Sequence, residues 1–141
     1  MGHAAPIKPT RTQLEAAQAL QRMVVVVEDD DAMRQAIQRL LKCAGLQSRV
    51  FATAHDFLES GTAGSAACLV LDVQLPDQSG FELHRVLASR GLNHPVIFIT
   101  GLDDPTARAE AARIGAVEFL SKPFPGRQLI AAIENAVGGD D

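Results

Sequence analysis

The hydrophobic residues form continuous runs in some segments and recur every three or four residues in the segments between them. This pattern predicts five strands and five helices that alternate along the chain. Continuous apolar runs are typical of strands buried on both faces of a parallel sheet. Three such runs occur, and two strand-like segments that include polar residues complete the set. The predicted strands are Val24–Val27, Ser48–Phe51, Cys68–Leu71, Pro95–Thr100 and Val117–Leu120.

Between these runs, apolar residues recur at the three- and four-residue spacing of a helix that buries one face. The predicted helices are Ala32–Ala44, Thr53–Glu59, Phe81–Ser89, Pro105–Ile114 and Arg127–Val137. Thr53 and Asp104 are suited to cap the helices that they begin, and Gly115 is suited to end one. The alternation predicts an α/β fold in which a doubly wound parallel sheet carries helices on both faces.

The first 22 residues differ from the rest of the chain. Pro6 and Pro9 interrupt regular structure, and Thr12–Arg22 reads as a short helix with few large apolar residues. We therefore expect three parts: residues 1–22 as a helical arm or linker, residues 23–138 as one folded domain, and residues 139–141 as a tail. The role of the arm is open between docking on a partner, mediating dimerisation and being disordered.

Composition and charge narrow the possible functions. The net charge is −4, and Lys and Arg are scattered rather than grouped, so we expect no direct binding of nucleic acid by this chain. Cys43 and Cys68 are predicted to be buried free thiols, which matches a reducing compartment. The first strongly apolar run, Val24–Val27, is too short for a secretion signal or a membrane span, so we expect a cytoplasmic location.

Polar side chains follow four of the predicted strands. Glu28 and Asp29 come after the first strand, Asp72 after the third, Thr100 ends the fourth, and Lys122 follows the fifth. In open α/β sheets, ligands bind outside the carboxyl ends of the strands, so these groups are expected to converge on one rim. Clustered carboxylates repel one another, which raises a pKa or calls for a cation such as Mg²⁺.

A carboxylate surrounded by a cation, an ammonium and a hydroxyl is suited to receive a phosphoryl group. The three neighbours would offset the charge that spreads over the phosphoryl oxygens in the transition state, and an aspartate can act as the nucleophile. Each residue alone has a simpler explanation: acidic residues cap helices, threonine favours strands, and Lys–Pro is common in loops. The joint occurrence at successive strand ends supports the functional interpretation.

Four segments in this order resemble the receiver domains of bacterial response regulators, the CheY-like superfamily, with the closest likeness to NarL/FixJ-type receivers. The resemblance extends from Val24 to about Val137. It implies a flavodoxin-like (βα)5 sandwich with strand order 2-1-3-4-5 and a short N-terminal helical arm added. The segments are Val-Val-Glu-Asp-Asp (26–30), Leu-Asp-Val-Gln-Leu-Pro-Asp-Gln-Ser-Gly (71–80), Phe-Ile-Thr-Gly (98–101) and Gly-Ala-Val-Glu-Phe-Leu-Ser-Lys-Pro-Phe (115–124).

The resemblance implies a role for each matching residue. Asp72 is similar to the phosphoacceptor of the family. Glu28, Asp29, Asp72 and the backbone carbonyl of Gln74 correspond to the ligands of Mg²⁺ or Mn²⁺. Glu28 stands where many members have Asp, and it could reach the metal through water.

The resemblance also implies a switch. Thr100 and Lys122 correspond to the groups that bind the phosphoryl oxygens, and Phe119 corresponds to the aromatic residue that follows the motion of Thr100. Pro76 and Gly80 would shape the loop after Asp72. The Lys122–Pro123 peptide bond is expected to be cis, an arrangement that is common only before proline.

The function implied is that of a two-component signalling domain rather than an enzyme. The donor would be a sensor histidine kinase or a histidine phosphotransfer protein, or a small phosphodonor. Phosphorylation would alter the face formed by the fourth helix, fifth strand and fifth helix, which a downstream protein, an output domain or a second copy of the chain would bind. Leu102 is apolar and stands beside the expected path of water, as does Gln74, so we expect slow autodephosphorylation.

Three alternatives stay open at the level of sequence. A phosphatase or phosphotransferase of the haloacid dehalogenase kind would also form an aspartyl-phosphate, but it requires a second Asp where this chain has Gln74. The domain could instead be an interaction module that works without phosphorylation. It could also be the isolated receiver part of a longer DNA-binding regulator.

Overall fold

The structure is a computed structural model that describes residues 8–14 and 23–138. Most of the predicted helix Thr12–Arg22 and the predicted tail 139–141 lie outside the described residues. Within the arm, residues 11–14 form a helical turn. The backbone N–H of Thr10 donates to Oε1 of Gln13 at 2.8 Å, and the backbone N–H of Gln13 donates to Oγ1 of Thr10 at 3.0 Å. This reciprocal pair is a capping box, which explains why a helical turn starts here.

The five strands form one parallel sheet in the order β2-β1-β3-β4-β5. This order confirms the flavodoxin-like topology that the resemblance implied. Each observed strand begins and ends within one residue of its predicted range. The strands are β1 (Val24–Val27), β2 (Ser48–Phe51), β3 (Cys68–Asp72), β4 (Val96–Thr100) and β5 (Glu118–Ser121).

Helices connect successive strands, and their ends also lie within one residue of the predictions. Asp30, Thr53, Ser79 and Asp104 accept a hydrogen bond from the backbone N–H three residues later, so each helix from α1 to α4 has a side-chain cap. The helices are α1 (Asp31–Cys43), α2 (Ala54–Ser60), α3 (Gly80–Ser89), α4 (Pro105–Ile114) and α5 (Gly126–Gly138), and a short 3₁₀ helix spans Ala63–Ser65.

The sheet separates two hydrophobic clusters, which explains why the three central strands, β1, β3 and β4, are buried along their whole length and almost entirely apolar. Val24 and Val26 face the cluster formed with α1 and α5, whereas Val25 and Val27 face the cluster formed with α2, α3 and α4. Successive side chains of a strand point to opposite faces, so a strand covered on both sides needs apolar residues at every position. Fully burying each valine stabilises the fold by roughly 1.5–3 kcal/mol. Among the described residues, no helix has the length and apolar character needed to span a membrane.

The two cysteines differ in burial, and the prediction for Cys43 was wrong. Cys68 is buried in β3, and burial raises the pKa of its thiol to about 12. Cys43 is the last residue of α1 and is exposed, because it lies away from the face that buries Ile37 and Leu41. Both thiols are free, as the sequence predicted.

Candidate functional site

The carboxyl ends of β1 and β3 bring three carboxylates together at one rim of the sheet. Glu28 and Asp72 are buried, with 0% and 3% of their surface exposed, whereas Asp29 is exposed. One carboxylate oxygen from each of the three lies within 4.8 Å of the other two. The structure therefore brings together the acidic residues that the sequence predicted to form a cation site.

The ammonium of Lys122, after β5, contacts two of these carboxylates. Nζ donates a hydrogen bond of 2.8 Å to Oδ2 of Asp72 and lies 2.7 Å from Oε1 of Glu28. The Glu28 contact has the distance of an ion pair but not the direction of a hydrogen bond, so this buried oxygen lacks a hydrogen-bond donor. The other Glu28 oxygen, Oε2, accepts from the backbone N–H of Asp30 at 3.0 Å.

Burial and charge act in opposite directions on the groups of this cluster. The pKa of Glu28 is raised from 4.5 to about 7, because the effects of burial and of the neighbouring Asp72, which raise it, outweigh those of Lys122 and the Asp30 amide, which lower it. Burial disfavours the charge of Lys122, but the attraction of Asp72 and Glu28 outweighs this effect, so the pKa of Lys122 is raised. The site is therefore short of positive charge when all three carboxylates are ionised.

The loop after β3 is held tightly against Asp72. The backbone N–H of Gln74 donates to Oδ1 of Asp72 at 2.9 Å, and the backbone N–H of Gly80 donates to the carbonyl of Val73 at 2.8 Å. A Cβ atom at Gly80 would lie 2.4 Å from the carbonyl oxygen of Asp72, so no larger residue fits there without movement. This contact explains why glycine begins α3, and it fixes the backbone of Asp72.

Thr100 is buried at the end of β4 and bonds within its own loop and to Gln74. Its Oγ1 accepts from the backbone N–H of Leu102 at 3.0 Å. The same oxygen lies 3.2 Å from Oε1 of Gln74 and 3.2 Å from the carbonyl of Leu102, and its single proton serves one of them at a time. Leu102 itself is 65% exposed.

Two residues that the sequence analysis did not single out support the acidic loops. Arg34 in α1 donates from Nη1 to the carbonyl oxygens of Glu28, at 2.9 Å, and Asp29, at 3.4 Å. Asp77 accepts from the backbone N–H groups of Ala54 and His55 at the start of α2, at 3.2 and 2.9 Å. Partial burial opposes ionisation of Asp77, but these amide bonds prevail and lower its pKa.

The donor atoms at the rim fit a hard divalent cation. Three carboxylates offer oxygen ligands, one buried Glu28 oxygen lacks a hydrogen-bond donor, and a single lysine contacts two of the groups. Mg²⁺ and Mn²⁺ prefer oxygen ligands of this kind. The Lys122–Pro123 peptide bond is cis, as expected from the sequence.

Comparison with known proteins agrees with this geometry. The family model described as the response regulator receiver domain matches residues 24–134. The chain belongs to this family. Receiver domains are signalling domains of two-component systems rather than classical enzymes, and the match spans all five strands of the sheet.

Curated relatives of this receiver domain include longer regulators. Nodulation protein W of Bradyrhizobium diazoefficiens is 41% identical over 118 residues, which are 84% of this chain and 52% of that protein. The transcriptional regulatory protein FixJ of Azorhizobium caulinodans is 39% identical over 115 residues, which are 82% of this chain and 54% of that protein. The receiver domain thus spans about half the length of the curated relatives that it matches.

Solved structures of receiver domains are similar in fold. A structure titled FixJ-N is 36% identical, with a TM-score of 0.73 over 82% of this chain and 93% of that one. A response regulator receiver protein from Burkholderia phymatum is 39% identical, with a TM-score of 0.72 over 82% of this chain and 94% of that one. The fold and the family are therefore established for this receiver domain.

Proposed function

We propose that this receiver domain accepts a phosphoryl group on the carboxylate of Asp72. The observation that carries the proposal is the 2.8 Å hydrogen bond from the Lys122 ammonium to Asp72, a buried carboxylate that lies beside Glu28 and Asp29. A buried aspartate with a fixed cation on one side and two further carboxylates on the other is suited to become an acyl phosphate.

In the transfer, an oxygen of Asp72 attacks phosphorus while the bond from phosphorus to the nitrogen of a donor phosphohistidine breaks, and the imidazole leaves. Lys122 stays within reach of the transferred group and offsets its charge. Thr100 would turn its hydroxyl from Gln74 toward a phosphoryl oxygen. Bound Mg²⁺ or Mn²⁺, held by Glu28, Asp29, Asp72 and the Gln74 carbonyl, would supply the positive charge that the cluster lacks.

The output of the reaction is a change in the surface formed by α4, β5 and α5. Thr100 and Phe119 are the residues proposed to carry the change. Thr100 ends β4, and Phe119 lies in the adjacent strand β5. The donor would be a sensor histidine kinase or histidine phosphotransfer protein, and the reader an output domain, a downstream protein or a second copy of the chain. Residues 23–138 would form the receiver, preceded by the arm 1–22.

Intact mass after incubation with acetyl phosphate and Mg²⁺ tests this proposal. We expect a gain of one phosphoryl group, about 80 Da, for the unaltered chain and none for Asp72→Asn. Asp56→Asn is the matched control, since Asp56 is exposed in the first turn of α2 and lies outside the carboxylate cluster. The same gain in Asp72→Asn would place the phosphoryl group elsewhere, and no gain in the unaltered chain would favour an interaction module that works without a small phosphodonor.

Thermal unfolding with and without Mg²⁺ tests the cation site separately. A ligand that binds the folded state raises the unfolding temperature as its concentration exceeds the dissociation constant. We expect Mg²⁺ to raise the unfolding temperature of the unaltered chain and of Asp56→Asn, and to have little effect on Asp29→Asn. An equal shift in Asp29→Asn would remove that residue from the site.

A further inference from the structure

Arg108 in α4 contacts the aromatic residue that is proposed to switch. The guanidinium carbon of Arg108 lies 5.1 Å from the centroid of the Phe119 ring, within the range of a cation–π contact. Phe119 itself is half-buried in β5. The ring is thus covered on its outer side by a charged side chain from the neighbouring helix.

Asp103 fixes the orientation of that guanidinium. Nε of Arg108 donates to Oδ1 of Asp103 and Nη2 donates to Oδ2, each at 2.7 Å, so the pair is bidentate. Oδ2 of Asp103 also accepts a hydrogen bond from the hydroxyl of Ser121, two residues after Phe119. Glu118 lies near enough to add a further attraction to Arg108. Arg108 is therefore held by the loop after β4 and lies against β5.

The sheet places both proposed switch residues, Thr100 and Phe119, on the face that carries the contacts among Arg108, Asp103 and Ser121. Phe98 pairs with Phe119, and Thr100 pairs with Ser121, in the parallel register of β4 and β5. Side chains two positions apart in a strand share a face, so Phe119 and Ser121 lie on the same side of the sheet as Thr100. Asp103 follows Thr100 by three residues in the loop that leads to α4.

We propose that Arg108 is a positioning residue that holds Phe119 in its half-buried orientation, with Asp103 aiming the guanidinium. The inference rests on the proposed function, in which Phe119 turns inward as Thr100 moves toward Asp72. Inward rotation takes the ring away from the guanidinium and loses the contact. A shift of Thr100 at the end of β4 also displaces Asp103 in the loop that follows, which loosens Arg108 and releases the ring.

The size of the effect follows from exposure. The Arg108 side chain is 56% exposed, so its contact with the ring is in the weak range for cation–π interactions and is reduced by salt. Such a contact changes the ratio of inward to outward Phe119 by about two- to fivefold. Arg108 therefore tunes the resting population of the switch and does not block it.

Side-chain NMR of the unphosphorylated chain measures this ratio directly. Three-bond couplings to the ring carbon of Phe119 report the populations of its χ1 rotamers. We expect Arg108→Gln to raise the inward-to-outward ratio by about two- to fivefold, and Asp103→Asn to raise it in the same direction. Arg113→Gln is the matched control. Arg113 lies on the same helix and pairs with Glu110, and within the described part of the chain it makes no cation–π contact.

The rate of phosphorylation by acetyl phosphate with Mg²⁺ is the second readout. If the inward orientation favours phosphorylation, Arg108→Gln accelerates uptake by the same factor, and Arg113→Gln leaves it unchanged. Rotamer populations in Arg108→Gln equal to those of the unaltered chain would overturn the proposal, whatever the rate does. If no variant takes up a phosphoryl group, the result contradicts the phosphoacceptor function but not the role of Arg108, since the rotamer measurement needs no phosphoryl group.

Discussion

Lys122 and Asp72 are 50 residues apart in the chain, yet the Lys122 ammonium donates a 2.8 Å hydrogen bond to Oδ2 of Asp72. The contact follows from topology, because β3 and β5 flank β4 in a parallel sheet and their carboxyl ends open onto one rim. The same ammonium lies 2.7 Å from Glu28, so one cation serves two buried carboxylates.

We expect Lys122→Met to destabilise the metal-free chain by about 1–3 kcal/mol, because it leaves buried carboxylates without their charged partner. Protonation of Glu28, whose pKa is already raised, limits the loss. Urea unfolding in the presence of a chelator measures it. Lys42→Met at the exposed end of α1 is the control and is expected to change stability by no more than about 0.5 kcal/mol. Equal stabilities of the two variants would contradict the prediction.

The close approach of Gly80 to Asp72 gives a second prediction. Gly80→Ala would place a Cβ atom 2.4 Å from the Asp72 carbonyl oxygen, and neither atom can move without a shift of the backbone that carries it. We expect a loss of about 1–3 kcal/mol in the free energy of unfolding, together with slower phosphorylation, since the loop that positions Asp72 must shift. Urea unfolding and acetyl phosphate uptake measure the two effects.

Gly64→Ala is the matched control for Gly80→Ala. A Cβ atom at Gly64 has nothing within 4 Å, and its backbone is not in the left-handed region. The same substitution there is expected to change stability by less than about 0.5 kcal/mol. A Gly80→Ala chain as stable as Gly64→Ala would show that the loop relaxes without cost.

Much of the fold follows from sequence because its signals are local. Four apolar valines specify a strand covered on both faces, and Thr53 or Asp104 specifies a helix start through its own side chain. The carboxylate cluster was also predictable, because parallel topology sends every strand end to the same rim. Knowledge of side-chain contacts was not needed to bring Glu28 and Asp72 together.

The supporting contacts were not predictable, since they join side chains to distant backbone or to other helices. Asp77 accepts from the backbone N–H of His55 at the start of α2, 22 residues earlier in the chain. Arg108 in α4 contacts the ring of Phe119 in β5. No local pattern marks such pairs. Arg34 carried a weak signal, because an arginine in the first turns of a helix can reach the carbonyl groups of an acidic loop before it. The exposure of Cys43 depended on its rotational position at the end of α1.

The contrast between the two cysteines is testable by thiol labelling. Cys43 is exposed, whereas Cys68 is buried in β3 with the pKa of its thiol raised to about 12 by burial. Because the thiolate is the reactive form, we expect an alkylating reagent to modify Cys43 in the native chain and both residues only in denaturant. Mass spectrometry counts the labels. Cys43→Ser should take up none while folded, and rapid native labelling of that variant would contradict the burial of Cys68.

The lifetime of the phosphoryl group should depend on the residue at position 102. Leu102 is apolar and follows Thr100 by two residues, so it cannot orient water for attack on an acyl phosphate. We expect Leu102→Glu to shorten the lifetime severalfold and Leu102→Met to leave it unchanged. Decay of the phosphorylated mass after removal of acetyl phosphate gives both rates. A Leu102→Glu variant that decays no faster than the unaltered chain would sink the hypothesis of slow autodephosphorylation through Leu102.

His84 in α3 should make stability depend on pH in the weakly acidic range. Burial lowers the pKa of His84 from 6.5, and the nearby His94 and Arg85 lower it further by repulsion. The folded chain therefore binds a proton on His84 less readily than the unfolded chain does. Its contribution to stability is complete above about pH 6.5 and is lost as the pH falls through the folded-state pKa.

Urea unfolding at about pH 7.5 and about pH 5.5 isolates this contribution when variants are compared with the unaltered chain. Glu28 acts in the opposite direction over part of this range, so the difference between variants is the informative quantity. We expect His84→Gln to lose less stability on acidification than the unaltered chain, and Arg85→Gln to show a smaller change of the same sign, since one repulsive charge is gone. If His84→Gln and the unaltered chain lose equal stability between the two pH values, His84 binds its proton equally well in the folded and unfolded states. The position of His84 beside the Phe98 ring, with 6.4 Å between the ring centroids, would then not disfavour the charged imidazole.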